Sequence, residues 1–249
     1  MYAELAAIAA AGFAAGTVNT LGGGGSLITF PAMIAIGVSP LSANVTNTVG
    51  LFPGTIGGTL ASGDALAGQG RRIARLLAPS LLGAIAGTIL LLLTPGDTFE
   101  AIAPILIGAS CLLLLMQPAI ARRFSAPDAD HSRLLAAALV AAGAYAAYFG
   151  SAVGILVLAV LTLVLDDTLK RLNAAKVVLT GTMNLVAAGA YALLAPVAWP
   201  YAATLMLASL LGGATAARWG QAIPANTLRI GIAISGLTVA AALAVRAIP

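Results

Sequence analysis

Charge is what this sequence has least of. Only 12 of its 249 residues are Lys or Arg and 8 are Asp or Glu, 8% together, against about 25% in a soluble domain. With 60% of residues hydrophobic and a mean hydropathy of +1.03, a water-soluble body of this size would have too little polar surface to cover itself. That excludes an ordinary soluble enzyme, a disordered chain and a nucleic-acid-binding module. The net charge of +4 does not change this. Basic residues scattered between apolar runs form no phosphate-binding stripe; in a membrane protein they set orientation.

Cysteine and histidine are almost missing, one of each. A single Cys111 excludes an intrachain disulfide. With no His or Cys near it in sequence, it reads as a packing residue. His131 lies in the polar segment Ser125 to Arg133 and reads as a loop residue. The lack of a nucleophile–base set argues against an intramembrane enzyme. The lack of an Asp, Glu, His or Met cluster argues against a cation exporter. No cofactor or metal site is expected, and no GxxxxGK[ST] motif offers ATP as an energy source. Met1 to Gly16 carries only Glu4, lacks the basic start of a signal peptide, and reads as a mature membrane segment.

What is present is a series of apolar segments near the roughly 20 residues that span a bilayer. They cover 3–21, 26–38, 43–62, 73–94 and 99–117, then 134–149, 154–165, 174–194, 200–217 and 228–246. The fold class is therefore an all-α polytopic membrane protein. Residues 1–117 form a first unit, 118–133 a cytoplasmic linker and 134–249 a second unit. Each half has one interruption. Gly22 to Gly25 separates a long segment from a short one. Gly150-Ser151-Ala152-Val153-Gly154 does the same in the second half, where the 12 residues that follow reach only about 18 Å as a helix. Each pair reads as a Gly-broken helical hairpin.

The halves resemble each other at a constant offset of 129: Gly25 falls on Gly154, Asn44 on Asn173, and Ser80-Leu81-Leu82-Gly83 on Ser209-Leu210-Leu211-Gly212. This points to a duplication. The positive-inside rule puts Arg71, Arg72 and Arg75 and the linker in the cytoplasm, Ala195–Pro200 outside, and Gly220–Thr227 inside. Both termini then fall outside, against which Arg246 counts. The two halves, about five segments each, are expected to be inverted-topology repeats whose broken hairpins meet near the midplane, the plan of secondary transporters.

Asn19-Thr20-Leu21-Gly22-Gly23-Gly24-Gly25-Ser26-Leu27-Ile28-Thr29-Phe30-Pro31 resembles the Gly-rich signature opening the first repeat of the sulfite exporter TauE/SafE family. Ala43 to Thr48 resembles the small polar stretch that follows it. Tyr148 to Leu156 resembles the matching turn, with Ala152 where glycine is expected, and Leu172-Asn173-Ala174-Ala175-Lys176 resembles that family's Asn-x-x-Lys stretch. The likeness covers essentially the whole chain. It implies a transporter of small sulfur-containing anions such as sulfite or organosulfonates in the cell (inner) membrane.

Asn44 and Asn47 lie 19 and 22 residues after Gly25, and Asn173 and Lys176 lie 19 and 22 after Gly154. Each pair shares a helical face. Lys176 is the sharpest candidate, because an ionisable group inside a membrane is costly. Either it attracts an oxyanion, or it snorkels to the cytoplasm beside Lys170 and Arg171, with Asp166 and Asp167 as possible ion-pair partners. The asparagines either bind the anion or bond between helices. Thr46, Thr48, Thr180, Thr182 and Asn184 extend this polar lining. Gly23, Gly24, Gly25 and Ser26 either offer N–H groups at a helix start or pack closely. Asn19 is near the same break. The substrate-binding set is thus Asn19, Gly23, Gly24, Gly25, Ser26, Asn44, Asn47, Thr48, Asn173, Lys176, Thr180 and Asn184, with no catalytic residue. Gly50 to Gly63 suits tight packing or a hinge. Expected partners are a small anion and the bilayer, with proton coupling and a homodimer left open, and no nucleic acid. The reading is a secondary anion transporter; an anion channel or a carboxylate transporter of the same fold is the alternative.

Overall fold

The structure, a computed structural model, describes residues 2–21, 23–123, 132–219 and 225–246. Every regular element among them is an α-helix: α1 Tyr2–Leu21, α2 Ser26–Ala35, α3 Pro40–Ala61, α4 Gly63–Leu66, α5 Gly70–Leu93, α6 Gly96–Arg123, α7 Ser132–Tyr148, α8 Val153–Val164, α9 Leu169–Leu194, α10 Trp199–Trp219 and α11 Ala225–Arg246. The helices overlie the apolar segments. The four-residue α4 is a turn before α5 that hydropathy does not mark. Gly70–Leu93, Gly96–Met116 and Leu169–Leu194 are long and apolar enough to cross a membrane.

Two boundaries differ from the apolar pattern. α6 runs on through Pro118 to Arg123, so 118–123 is helical although a proline inside a helix is costly. Of the rest of that linker, 132–133 open α7, while 124–131 with His131 lies outside the described residues, as do Gly22 and 220–224. α2 stops at Ala35 because Gly37 turns to φ +90. Val38 N–H then donates to Met33 O at 3.1 Å, closing the helix in a Schellman motif.

Small residues mark the closest helix contacts. On α5, Ser80, Gly83, Ala84, Gly87 and Thr88 are buried, while Leu82, Ile85, Ile89, Leu90 and Leu93 are exposed. Small residues inward let helix backbones touch, and large apolar ones outward suit lipid. A Cβ on Gly83 or Gly87 would lie 2.0 or 2.1 Å from the carbonyl oxygens of Val140 and Ala144 on α7. A Cβ on Gly16 or Gly212 would lie 2.2 or 2.1 Å from those of Ser209 and Phe13, in the α1–α10 contact. Pro53 sits within α3, and Gly50 and Gly54 on that helix press against Leu205 and Ser209 of α10. Cys111 is buried and packs on Gly236 of α11. Overall, α1 packs on α10, α7 on α5, α3 on α10, α9 on α5, α6 on α11, and α3 on α9. The α3–α9 pair carries most of the candidate residues.

Candidate functional site

The site begins with the two helix breaks. Between α1 and α2 the chain turns through Gly23 (φ +92) and Gly24 (φ +96). Between α7 and α8 it turns through Gly150 (φ +73) and Ala152 (φ +59). Only glycine takes such angles without cost, so the Ala152 departure from the expected glycine stores about 1–2 kcal/mol. The breaks touch each other. A Cβ on Gly23 would lie 3.1 Å from Gly154 Cα, and one on Gly154 would lie 3.2 Å from Gly23 Cα.

Side chains from elsewhere tie the broken ends. Asn19 Oδ1 bridges its own break by accepting the Gly25 N–H at 2.7 Å. At the end of α7, the Tyr191 hydroxyl donates to Ala147 O at 2.6 Å and Asn44 Nδ2 donates to Tyr148 O at 2.9 Å. These satisfy carbonyls that a helix end leaves open. The end of α1 is met by the Lys176 ammonium, which donates to Asn19 O at 3.4 Å. A cation is favoured at the negative end of a helix.

A cavity of about 40 Å³ lies where the breaks and the α3–α9 pair converge. One water needs about 10–15 Å³ by this measure, so the space suits an ion of a few heavy atoms. Of the expected set, it brings together Asn19, Gly23, Gly24, Ser26, Asn47, Thr48, Lys176, Thr180 and Asn184. Lys176 is 1% exposed, so it does not snorkel. Asp167 pairs with Arg72 and, at 3.1 Å, with Arg171 rather than with Lys176. Among the described residues no carboxylate reaches the Lys176 ammonium. Asn47, on the cavity wall, accepts the Thr29 hydroxyl at its Oδ1. Thr48 and Thr180 donate to the carbonyls of Asn44 at 3.0 Å and Lys176 at 2.9 Å.

The remaining candidates lie off the cavity. Gly25 is glycine for packing: a Cβ there would lie 2.3 Å from Ala15 O. Asn44 caps α7 as described. The Oδ1 atoms of Asn44 and Asn173 are both buried without a hydrogen-bond partner among the described residues. Thr46 Oγ1 accepts from the Ala198 N–H at 2.9 Å, and Thr182 donates to Val178 O at 2.8 Å. Sequence reasoning missed Thr20, Leu51, Gly54, Thr55, Phe149, Gly150, Val153, Gly154 and Val177 as lining residues. A step of i+4 from Asn47 reaches Leu51 and then Thr55, so helical spacing alone would have found that face. Gly154 was within reach of the repeat offset, which places it on Gly25, whereas Gly150 falls on Leu21.

At the end of the molecule holding the α4–α5 turn, Gln69 Nε2 donates to Ala65 O at 2.7 Å and to Arg171 O at 3.0 Å. Beside it, the Arg72 guanidinium, with help from the Thr168 N–H and Arg171, holds the Asp167 carboxyl down at about 2.

The chain matches the family model described as Sulfite exporter TauE/SafE over residues 8–243. It is 30% identical over 240 residues to the "Probable membrane transporter protein ORF9" of Sinorhizobium sp, covering 90% of this chain and 86% of that one. It is 31% identical to a "Probable membrane transporter protein" of Haemophilus influenzae, covering 84% and 82% of the two chains. It is 27% identical to the "Probable membrane transporter protein YfcA" of Escherichia coli K12, covering 82% and 76%. No solved structure matches it. A family match across nearly the whole chain, with relatives of similar length, agrees with the Gly-rich breaks and the Asn-x-x-Lys stretch: the chain belongs to the sulfite exporter TauE/SafE family.

Proposed function

We propose that this chain is a multi-pass membrane transporter of small anions, sulfite or an organosulfonate being the best candidates, working by alternating access across the inner membrane. The observation that carries the reading is Lys176: a buried ammonium beside a small cavity, with no carboxylate against it among the described residues. A buried charge is kept only where something pays its desolvation. Here a helix end does so in part, and an arriving anion completes it. The names of the relatives, all probable membrane transporters, support the transport class.

Two inverted repeats are part of this proposal. Under the 129-residue offset α1 maps to α7, α2 to α8, α3 to α9, α5 to α10 and α6 to α11. The α1–α10 contact then maps to α7–α5, α3–α10 to α9–α5, and α2–α11 to α8–α6, while α3–α9 and α6–α11 map to themselves. Such exchange of partners supports a pseudo-two-fold axis through the α3–α9 contact, beside the cavity. Rocking of one repeat on the other would expose the site to each side in turn.

The test is flux in proteoliposomes holding the purified chain, with sulfite, sulfate, a small organosulfonate, a carboxylate and a metal cation, with and without a pH gradient. Saturable flux of sulfite or the sulfonate is expected, reduced at least tenfold by Lys176→Ala in folded protein. Unchanged kinetics in that variant would remove Lys176 from the site; flux that never saturates would make the chain a channel. For the topology, tags at 70 and 222 should be cytoplasmic and a tag at 197 external. Finding 70 and 197 on one side would end the inverted arrangement.

A further inference from the structure

The charge inventory of the cavity restricts what it can hold. Lys176 is the one titratable group on its wall among the described residues. The charged groups on the helices packed against α9 lie elsewhere: Asp64 on α4, and Arg71, Arg72 and Arg75 on α5, are absent from the lining, as are Tyr145 and Tyr148 of α7. Helix dipoles add little net charge. Each break places one helix C-terminus and one helix N-terminus together, so their half charges, about −0.5 and +0.5, largely offset. The site therefore carries close to a single positive charge, held on a side chain that is itself buried.

We propose, resting on the transporter reading above, that the cavity selects a singly charged anion, an alkylsulfonate or hydrogensulfite, over a dianion of the same shape and over a zwitterion. One negative charge against Lys176 makes a neutral occupied state. A dianion leaves one charge uncompensated in a low-dielectric space, where the cost of an unpaired ion is steep. A zwitterion brings an ammonium that finds no carboxylate on the wall. The position that sets this selectivity is the pair Asn47 and Lys176. They lie 129 residues apart on α3 and α9 and line the same cavity. One of the two is charged.

The experiment compares ions whose charge does not change near neutral pH: methanesulfonate, sulfate and 2-aminoethanesulfonate. Flux is measured at pH 7 in proteoliposomes with the membrane potential clamped to zero. The wild type should carry methanesulfonate at least tenfold faster than either of the others, and methanesulfonate alone should raise its thermal midpoint in detergent. Asn47→Lys, which puts a second ammonium on the wall, should raise the sulfate-to-methanesulfonate ratio at least tenfold. Sulfate carried by the wild type as fast as methanesulfonate overturns charge matching and leaves anion transport standing. Failure of all three ions and of sulfite, with folded protein, overturns the transporter reading itself. Should Asn47→Lys not fold, the wild-type flux ratio and midpoint shifts decide the matter alone.

Discussion

Replacing Gly24, Gly154 and Gly23 by alanine separates two costs in the contact between the broken helices. Gly24 sits at φ +96, yet the nearest atom to an added Cβ is Leu114 Cδ1 at 3.4 Å. Gly24→Ala therefore tests backbone strain alone, about 1–2 kcal/mol, less up to about 1 kcal/mol from a stiffer unfolded chain. Gly154 lies near the start of α8 without a positive φ, and its Cβ would stand 3.2 Å from Gly23 Cα and 3.4 Å from Lys176 Cδ. Gly154→Ala tests contact alone: overpacking of about 1–3 kcal/mol against about 1 kcal/mol of better helix propensity. Gly23→Ala has both a φ of +92 and a Cβ 3.1 Å from Gly154 Cα, so roughly 3 kcal/mol is expected from the sum. The assay is the thermal midpoint in detergent, followed by tryptophan fluorescence, with about 2–4 °C per kcal/mol for a chain of this size. The expected order of loss is Gly23→Ala, then the two single-cost variants. Gly23→Ala and Gly154→Ala combined should be non-additive, because both methyls enter one gap. Equal midpoints for Gly23→Ala and Gly24→Ala, with strict additivity in the double variant, would mean that the breaks do not touch.

Ala152→Gly should raise the midpoint by the equivalent of about 1 kcal/mol, since it relieves a left-handed alanine; a lower midpoint would refute that. Gly87→Ala should cost at least ~2 kcal/mol by forcing α5 from α7, whereas Gly189→Ala, with nothing within 4 Å of the added Cβ, should be neutral or stabilising; equal effects would refute the backbone contact. Asp167 has a folded-state value of about 2 against roughly 3.9 in an unfolded chain. The folded state binds fewer protons, so this stabilisation is complete above about pH 4 and fades as pH falls toward 2. Asp167→Asn should lower the midpoint at neutral pH and flatten the loss between pH 4 and 2; an unchanged acid limb would refute the ion-pair assignment.

The helices were legible because a bilayer demands both length and hydropathy, and the first break because four successive glycines cannot be cheap inside a helix. The partners of Lys176 were less so, although the distance argument was available. Asp167 precedes it by nine residues, about 13 Å along a helix axis, too far for an ion pair. The two Asn/Lys pairs show a subtler limit. Spacing of i, i+3 leaves two side chains about 60° apart around the axis. That is near enough to be read as one face, but far enough for Asn47 to line the cavity while Asn44 turns to cap α7. Periodicity fixes a face to within one such step, and the neighbouring helix decides the rest.

The offset between the halves pairs the lining positions, and of those pairs only Asn47 and Lys176 differ in formal charge. Both halves supply a break, a polar helix and a close glycine contact. Had both carried lysine at the position of Asn47 and Lys176, two ammonium groups would face one small cavity with no carboxylate between them, and their repulsion in low dielectric would oppose the closed state. Had both carried asparagine, no net charge would draw an anion out of water. A single lysine at this paired position gives a site that is costly when empty and neutral when it holds one negative charge. In the alternating-access carrier proposed above, an occupied site would then close more readily than an empty one, the condition for moving an anion without an open pore.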